Sequence, residues 1–152
     1  MMANQAGERQ QRIMGIDFGT TRIGISLSDP LQIIAQPFTT LGNEPGIIAR
    51  ICDIVVKEAI GLIVVGMPLN LKGKKGKKAQ EVEKFIDEIK NATKVEVVHW
   101  DERFTTSIAH QTLLTMGTKR DERRKKKGRV DSMAAAIMLQ GFLDSQKRSM
   151  IC

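Results

Sequence analysis

Three short segments carry acids placed for chemistry. Asp17 lies in G-I-D-F-G-T-T-R-I-G (residues 15–24), Asp101 and Glu102 in W-D-E-R-F-T-T (residues 100–106), and Asp131 in V-D-S (residues 130–132). An acid at a strand end followed by a Gly-Thr-Thr turn is presented beside backbone amides and hydroxyls that can hold a metal-bound phosphate. Thr20, Thr21 and Arg22 are the phosphate-contacting candidates there. An ordinary hairpin, with Gly19 making the turn and Asp17 accepting backbone hydrogen bonds, explains the same string. Asp101 and Glu102 sit at the C-terminal end of an apolar run, where open sheets bind ligands. Side chains alternate along a strand, so only one of the two can face a site if the strand continues through both. The residues alone leave that choice open. Arg103 either neutralises the other acid or touches substrate phosphate. Asp131 is a common residue type at a helix start, and from there its carboxylate can also project toward a metal.

Three carboxylates converging above a sheet would repel one another and favour protonation of at least one. A divalent cation resolves that conflict, and hard oxygen ligands with water-filled positions suit Mg²⁺ or Mn²⁺. With two ions ~3.5–4 Å apart, one generates the attacking hydroxide and the other stabilises the leaving oxygen of a phosphodiester. Asp17, Asp131 and one of the adjacent pair Asp101 and Glu102 are the expected ligands and catalytic residues.

Charge supplies the substrate surface. The net charge is +7, yet residues 72–78 contribute +5 and residues 119–129 contribute +6, leaving −4 for the rest of the chain. Positive charge gathered into two runs is how a surface that meets phosphates differs from a uniformly basic one. Lys72, Lys74 and Lys75 in the first run, and Arg123, Arg124, Lys125, Lys126, Lys127 and Arg129 in the second, are the expected phosphate contacts. Solvated lysine loops are the plainer explanation.

These residues need elements to position them. An apolar run at 13–17 and an alternating segment at 22–28 predict a hairpin, and 33–41 a third strand that Pro37 confines to an edge or a strand end. Ile47, Ile48, Ile51, Ile54, Val55 and Ala59 recur at helical spacing, with Pro45 in the first turn and Gly61 as the stop. A buried strand at 62–65, a helix carrying Ala79, Val82, Phe85, Ile86 and Ile89, and a strand at 95–100 follow. This order implies parallel strands with right-handed crossovers. Thr105 or Thr106 can cap a helix ending at Gly117. A last helix over 130–143 would turn Val130, Met133, Ala134, Ile137, Met138 and Phe142 inward, with Ala134 to Ala136 permitting close packing. The prediction is a five-stranded mixed α/β sheet, antiparallel over strands 1–3 and parallel after, flanked by helices.

A chain of 152 residues, 41% hydrophobic and 27% charged, suits a single globular domain, expected over 13–146 with a polar leader at 1–12 and a frayed tail at 147–152. The polar leader and the lack of an ~18-residue apolar run predict a cytoplasmic protein. Cys52 and Cys152 offer neither a disulfide framework nor metal-ligand spacing. His99 and His110 lack partners at such spacing and read as structural or exposed. Trp100 reads as core packing before it reads as a base-stacking platform.

In this order D-F-G-T-T-R-I-G, V-V-G-M-P-L-N, D-E-R-F-T-T and V-D-S-M-A-A-A-I-M-L-Q resemble the YqgF family, also called RuvX, over about residues 13 to 144. The resemblance implies an RNase H-like, Holliday-junction-resolvase-like fold and a nuclease of pre-16S rRNA that matures its 5′ end in the bacterial cytoplasm. The family's acidic site falls on Asp17, Glu102 and Asp131. One departure is the lysine-rich stretch after P-L-N, where members usually carry acidic or hydroxyl-rich residues; added phosphate contacts raise non-specific affinity. Branched DNA is the alternative substrate, and an RNA-binding ribosome assembly factor without activity is the non-enzymatic alternative. The D-x-G-T-T loop of actin-like ATPases and sugar kinases is similar, but that architecture needs a second large domain and phosphate loop.

Overall fold

The computed structural model describes residues 11–67, 76–101 and 127–151, with side chains in the last helix described for 131–147. Its elements are β1 (Arg12–Phe18), β2 (Arg22–Ser28), β3 (Ala35–Gly42), α1 (Ile47–Lys57), β4 (Ile60–Met67), α2 (Lys77–Ala92), β5 (Glu96–Asp101) and α3 (Lys127–Ile151). The strands form one five-stranded sheet in the order β3-β2-β1-β4-β5. β1, β2 and β3 pair antiparallel, and β4 joins β1 and β5 in parallel. The mixed sheet predicted from the hydrophobic pattern is the one observed. Pro37 stands in β3 at the sheet edge, where its missing N–H breaks no central ladder. The predicted helix ending at Gly117 falls outside the described residues.

Helices cover both faces, which is why β1 and β4 read as continuous apolar runs. Ile16, Phe18, Ile23, Ile63 and Val65 pack with Ile51 and Val55 of α1 and with Val82, Phe85 and Ile89 of α2. On the other face Ile13 and Val64 pack with Met138, Leu139, Phe142 and Leu143 of α3, and Val98 and Trp100 join this cluster. The phase expected for the last helix needs correction. Its buried residues include Ser132, Ala135, Ala136, Leu139 and Leu143 besides Met138 and Phe142, while Met133, Ala134 and Ile137 are half-buried. The sheet beneath is lined by small residues of β1 and β2, so an alanine-rich stripe seats there and the bulkier Met133 and Ile137 are displaced to its flanks.

That close approach is built from glycine and serine. A Cβ on Gly15 would lie 2.8 Å from Leu139 Cβ and 3.2 Å from the Ala135 carbonyl oxygen. Opposite Gly15, the Ser26 hydroxyl donates to the Gly15 carbonyl at 3.3 Å, and Ser28 Oγ accepts from Ile13 N–H at 2.8 Å. Buried hydroxyls are thus satisfied by the neighbouring strand. Gln140 ties α3 to the start of β3: its Oε1 accepts from Ala35 N–H (2.9 Å) and its Nε2 donates to the Ile33 carbonyl (3.0 Å).

The helix stop expected at Gly61 is elsewhere. The chain leaves α1 through Glu58, whose N–H bonds the Ile54 carbonyl at 2.9 Å, and turns at Ala59, which has φ 53°. Gly61 belongs to β4, where an added Cβ would strike Gln11. The last helix also begins before Val130 and continues to Ile151, and β1 takes in Arg12.

Between β2 and β3, Asp29 organises the loop: Oδ1 accepts from Ile33 N–H (2.7 Å) and Ile34 N–H (2.8 Å), and Oδ2 from Leu31 N–H (3.2 Å). These bonds, Ile34's first, outweigh desolvation and hold the carboxyl below its ordinary value. A depressed folded pKa gives stability that is complete above the unfolded value, about pH 4, and is lost as pH falls through the folded one. Urea denaturation should therefore show Asp29→Ala less stable than wild type at pH 7, with the gap closing toward pH 3. A gap of constant size across that range would assign the effect to packing instead.

Candidate active site

Alternation along β1 decides where Asp17 points. Ile16 and Phe18 lie in the core under α1 and α2, and Gly15 touches α3, so Asp17 belongs to the α3 face at the C-terminal end of the strand. It is half-buried and in register with Gly24 of β2. Gly24 is in turn the seat of α3. A Cβ there would fall 2.4 Å from the Asp131 carbonyl carbon and 2.9 Å from Ser132 N, and closer still to the Asp131 carbonyl oxygen. The backbone of Asp131 thus rests on the strand pair directly beside Asp17, and both acids belong to one face at one level of the sheet.

Asp131 is the fifth residue of α3, not its start, so the helix-start explanation of this acid is withdrawn. Its carboxylate pairs with Arg22: Nε donates to Oδ2 at 2.6 Å, with side-chain exposures of 36% and 26%. Charge-assisted contacts of this length are among the stronger hydrogen bonds in proteins. Arg22 was expected to contact substrate; the structure gives it a protein partner as well.

The turn between β1 and β2 exposes Thr20 and Thr21. Asn43 holds this turn from the end of β3: its Nδ2 donates to the Gly19 carbonyl and its backbone N–H to the Thr21 carbonyl, both at 2.9 Å. Sequence reasoning did not single out Asn43. The signal was available only as an asparagine following the third strand, a residue type that readily bonds nearby backbone.

Asp101 pairs in register with Met67 of the α1–α2 core and, like Val97, alternates onto that face, away from Asp17 and Asp131. Glu102, Arg103, Lys72, Lys74, Lys75, Arg123, Arg124, Lys125 and Lys126 lie outside the described residues, as do the side chains of Lys127 and Arg129 in the first turn of α3. Among the described residues no three His, Cys, Asp or Glu side chains gather as a metal site. Trp100 stacks edge-on against Phe142 (5.6 Å, 90°), as the core-packing reading expects, and His99 is exposed. Cys52 is only half-buried, and burial pushes its thiol pKa up.

The sheet order, with α3 laid across the antiparallel strands and two acids at the β1 end, is the RNase H-like arrangement of resolvases. RuvC of T. thermophilus bound to a Holliday junction superposes with a TM-score of 0.57 at 16% identity, covering 90% of this chain and 96% of RuvC. The fowlpox virus resolvase, also with Holliday junction DNA, matches with the same TM-score at 12% identity, covering 90% and 99%. The particular family follows from sequence. The family model described as RuvX, Holliday junction resolvase, matches residues 11–145, and the chain belongs to this family of nucleases. A relative from Endomicrobium trichonymphae named "Putative pre-16S rRNA nuclease" is 42% identical over 137 residues, covering 89% of this chain and 96% of the relative. One from Ruminiclostridium cellulolyticum with the same name is 38% identical over 136 residues, covering 88% and 94%.

Proposed function

We propose that this chain is a divalent-metal-dependent endonuclease that hydrolyses phosphodiester bonds in precursor 16S rRNA, acting in the cytoplasm on its 5′ end. One observation carries the reading: Asp17 and Asp131 share one face of the sheet at the Gly24 contact. Two half-buried carboxylates, one at the end of β1 and one on α3, are a donor set that fits a hard cation, Mg²⁺ or Mn²⁺, better than a soft one. Glu102 is the proposed third ligand, and the placement of Asp101 on the opposite face supports choosing Glu102 over its neighbour. When bound, the cation supplies Lewis acidity and a water of lowered pKa. The protein's own residues orient the strand: Thr20 and Thr21 offer hydroxyls to a phosphate at the exposed turn, and Arg22 offers its guanidinium. Arg103, Lys72, Lys74, Lys75, Arg123, Arg124, Lys125, Lys126, Lys127 and Arg129 supply the remaining phosphate contacts in this reading. The names of the sequence relatives favour precursor rRNA.

A second reading, cleavage of branched DNA, is favoured by the family model's description and by the junction complexes of the structural neighbours. Incubating the chain with a pre-16S fragment bearing its 5′ extension and with a four-way DNA junction, each in Mg²⁺ and in EDTA, separates them. The expected result is shortening of the RNA in Mg²⁺ alone. Junction cleavage without RNA cleavage would select the second reading, and tight binding with neither product would leave an assembly factor.

The basic runs predict a steep salt response. On duplex DNA the log–log slope is ~0.9 per neutralised phosphate, so several contacts cost orders of magnitude in affinity between ~0.05 and 0.2 M salt. Filter binding across that range should show it, and a flat profile would remove the two runs from the interface.

A further inference from the structure

Arg22 and Gly24 are two residues apart on β2, so both face α3, and Arg22 follows directly on the Thr20–Thr21 turn. Its guanidinium therefore stands between the turn proposed to take a phosphate and the acid proposed to take a cation. The 2.6 Å contact to Asp131 runs through Nε. Arginine has five N–H donors in a planar fork, and a bond through Nε leaves the terminal amino groups as further donors for a second anion. The side chain, 36% exposed, is accessible to one.

The electrostatics of such a placement have a direction. A guanidinium on Asp131 cancels one negative charge of the ligand pair and sets a monocation against an incoming dication. A nucleic-acid phosphate attracts the same guanidinium and can be met by two of its N–H donors at once. We propose that Arg22 is a charge latch: it neutralises Asp131 while no nucleic acid is bound and transfers to a substrate phosphate, so that cation binding and nucleic-acid binding reinforce each other. Arg22 is then a positioning residue acting through Asp131, and the coupling is reciprocal, as linkage requires. The benefit is protection: the free protein holds its hydrolytic cation weakly and is completed on substrate. This inference rests on the reading of Asp17 and Asp131 as cation ligands.

A purely structural ion pair between α3 and β2 makes a different prediction. Removing it would lower stability and leave cation affinity unchanged or reduced. Calorimetric titration of MnCl₂ into the full chain without nucleic acid distinguishes the two. Arg22→Gln should bind Mn²⁺ tighter than wild type by roughly tenfold, as expected for removing a like charge near the site. Arg22→Lys, which keeps the charge, should stay within about threefold of wild type. Equal or weaker binding by Arg22→Gln would overturn the latch. Asp17→Asn and Asp131→Asn test the premise separately: if both bind Mn²⁺ like wild type, the cation reading itself fails. Should Arg22→Gln not fold, the wild-type protein still decides. Its Arg22 Nε–H resonance, expected to exchange slowly with solvent while held by Asp131, should shift when a short RNA strand is added in EDTA, and an unmoved signal would overturn the proposal.

Discussion

Asp17→Asn is expected to cut hydrolysis by at least ~10²-fold while the protein stays folded and still binds RNA. The lower bound follows from the cost of losing merely an outer partner of a metal ligand, ~10–100-fold, which a direct ligand should exceed. The fold should tolerate the change because asparagine fits the same space and Asp17 is half-buried at a strand end rather than inside either core. Removing one of two carboxylates on the same face also relieves like-charge repulsion, so RNA affinity in EDTA should hold or rise slightly. Single-turnover cleavage of the pre-16S fragment in Mg²⁺, thermal melting, and RNA binding in EDTA test the three parts. Cleavage at the wild-type rate would dismiss Asp17 from the chemistry. A collapse in melting temperature would mean that the carboxylate is structural.

Much of this arrangement is legible in the amino-acid sequence. The hairpin, the edge position of the strand carrying Pro37 and the parallel strands after it came from apolar periodicity and from where proline can stand in a sheet. Those signals are strong because both faces of β1 and β4 are buried, and only a continuous apolar run satisfies two cores at once. The phase of α3 was harder to read. Every position from 133 to 139 is apolar, so the inward face is set by what lies opposite, namely Gly15, Gly24 and Ser26. A helix with little amphipathic contrast leaves its orientation to the surface it meets.

The pairing of Arg22 with Asp131 was invisible for a related reason. The two are 109 residues apart, and each has an adequate local explanation: Arg22 as a phosphate contact, Asp131 as a helix-start residue. The structure removes the second explanation by starting α3 at Lys127. Asn43 went unnoticed because its partners are backbone carbonyls, and bonds to backbone depend on chain path rather than on a matching residue type. Gly61 misled because glycine commonly ends helices, whereas here it leaves room for the Gln11 side chain against β4, and the turn falls to Ala59 at a left-handed φ.

Gly24→Ala should be the most disruptive single-methyl change among the described residues that touch the site. The new Cβ meets the backbone of Asp131 and Ser132, which cannot rotate away as a side-chain tip would. Ordinary contact requires α3 and β2 to separate by about 1 Å, and overpacking of a well-filled interface costs about 1–3 kcal/mol, occasionally more. Denaturation in urea should place the variant at or beyond the upper end of that range. Activity should fall further than stability explains: the displaced turn carries Asp131, and a misplacement of about 1 Å can cost ~10²-fold in rate. Gly46→Ala is the control. Its glycine has φ 93° and no neighbour within 4 Å, so alanine there strains the backbone by ~1–2 kcal/mol without moving the site. If the two variants lost stability alike and kept equal activity in the folded fraction, the contact at Gly24 would be dispensable to the geometry of Asp17 and Asp131. A rate deficit confined to Gly24→Ala would show that the seat of α3 on β2 sets the spacing of the two carboxylates.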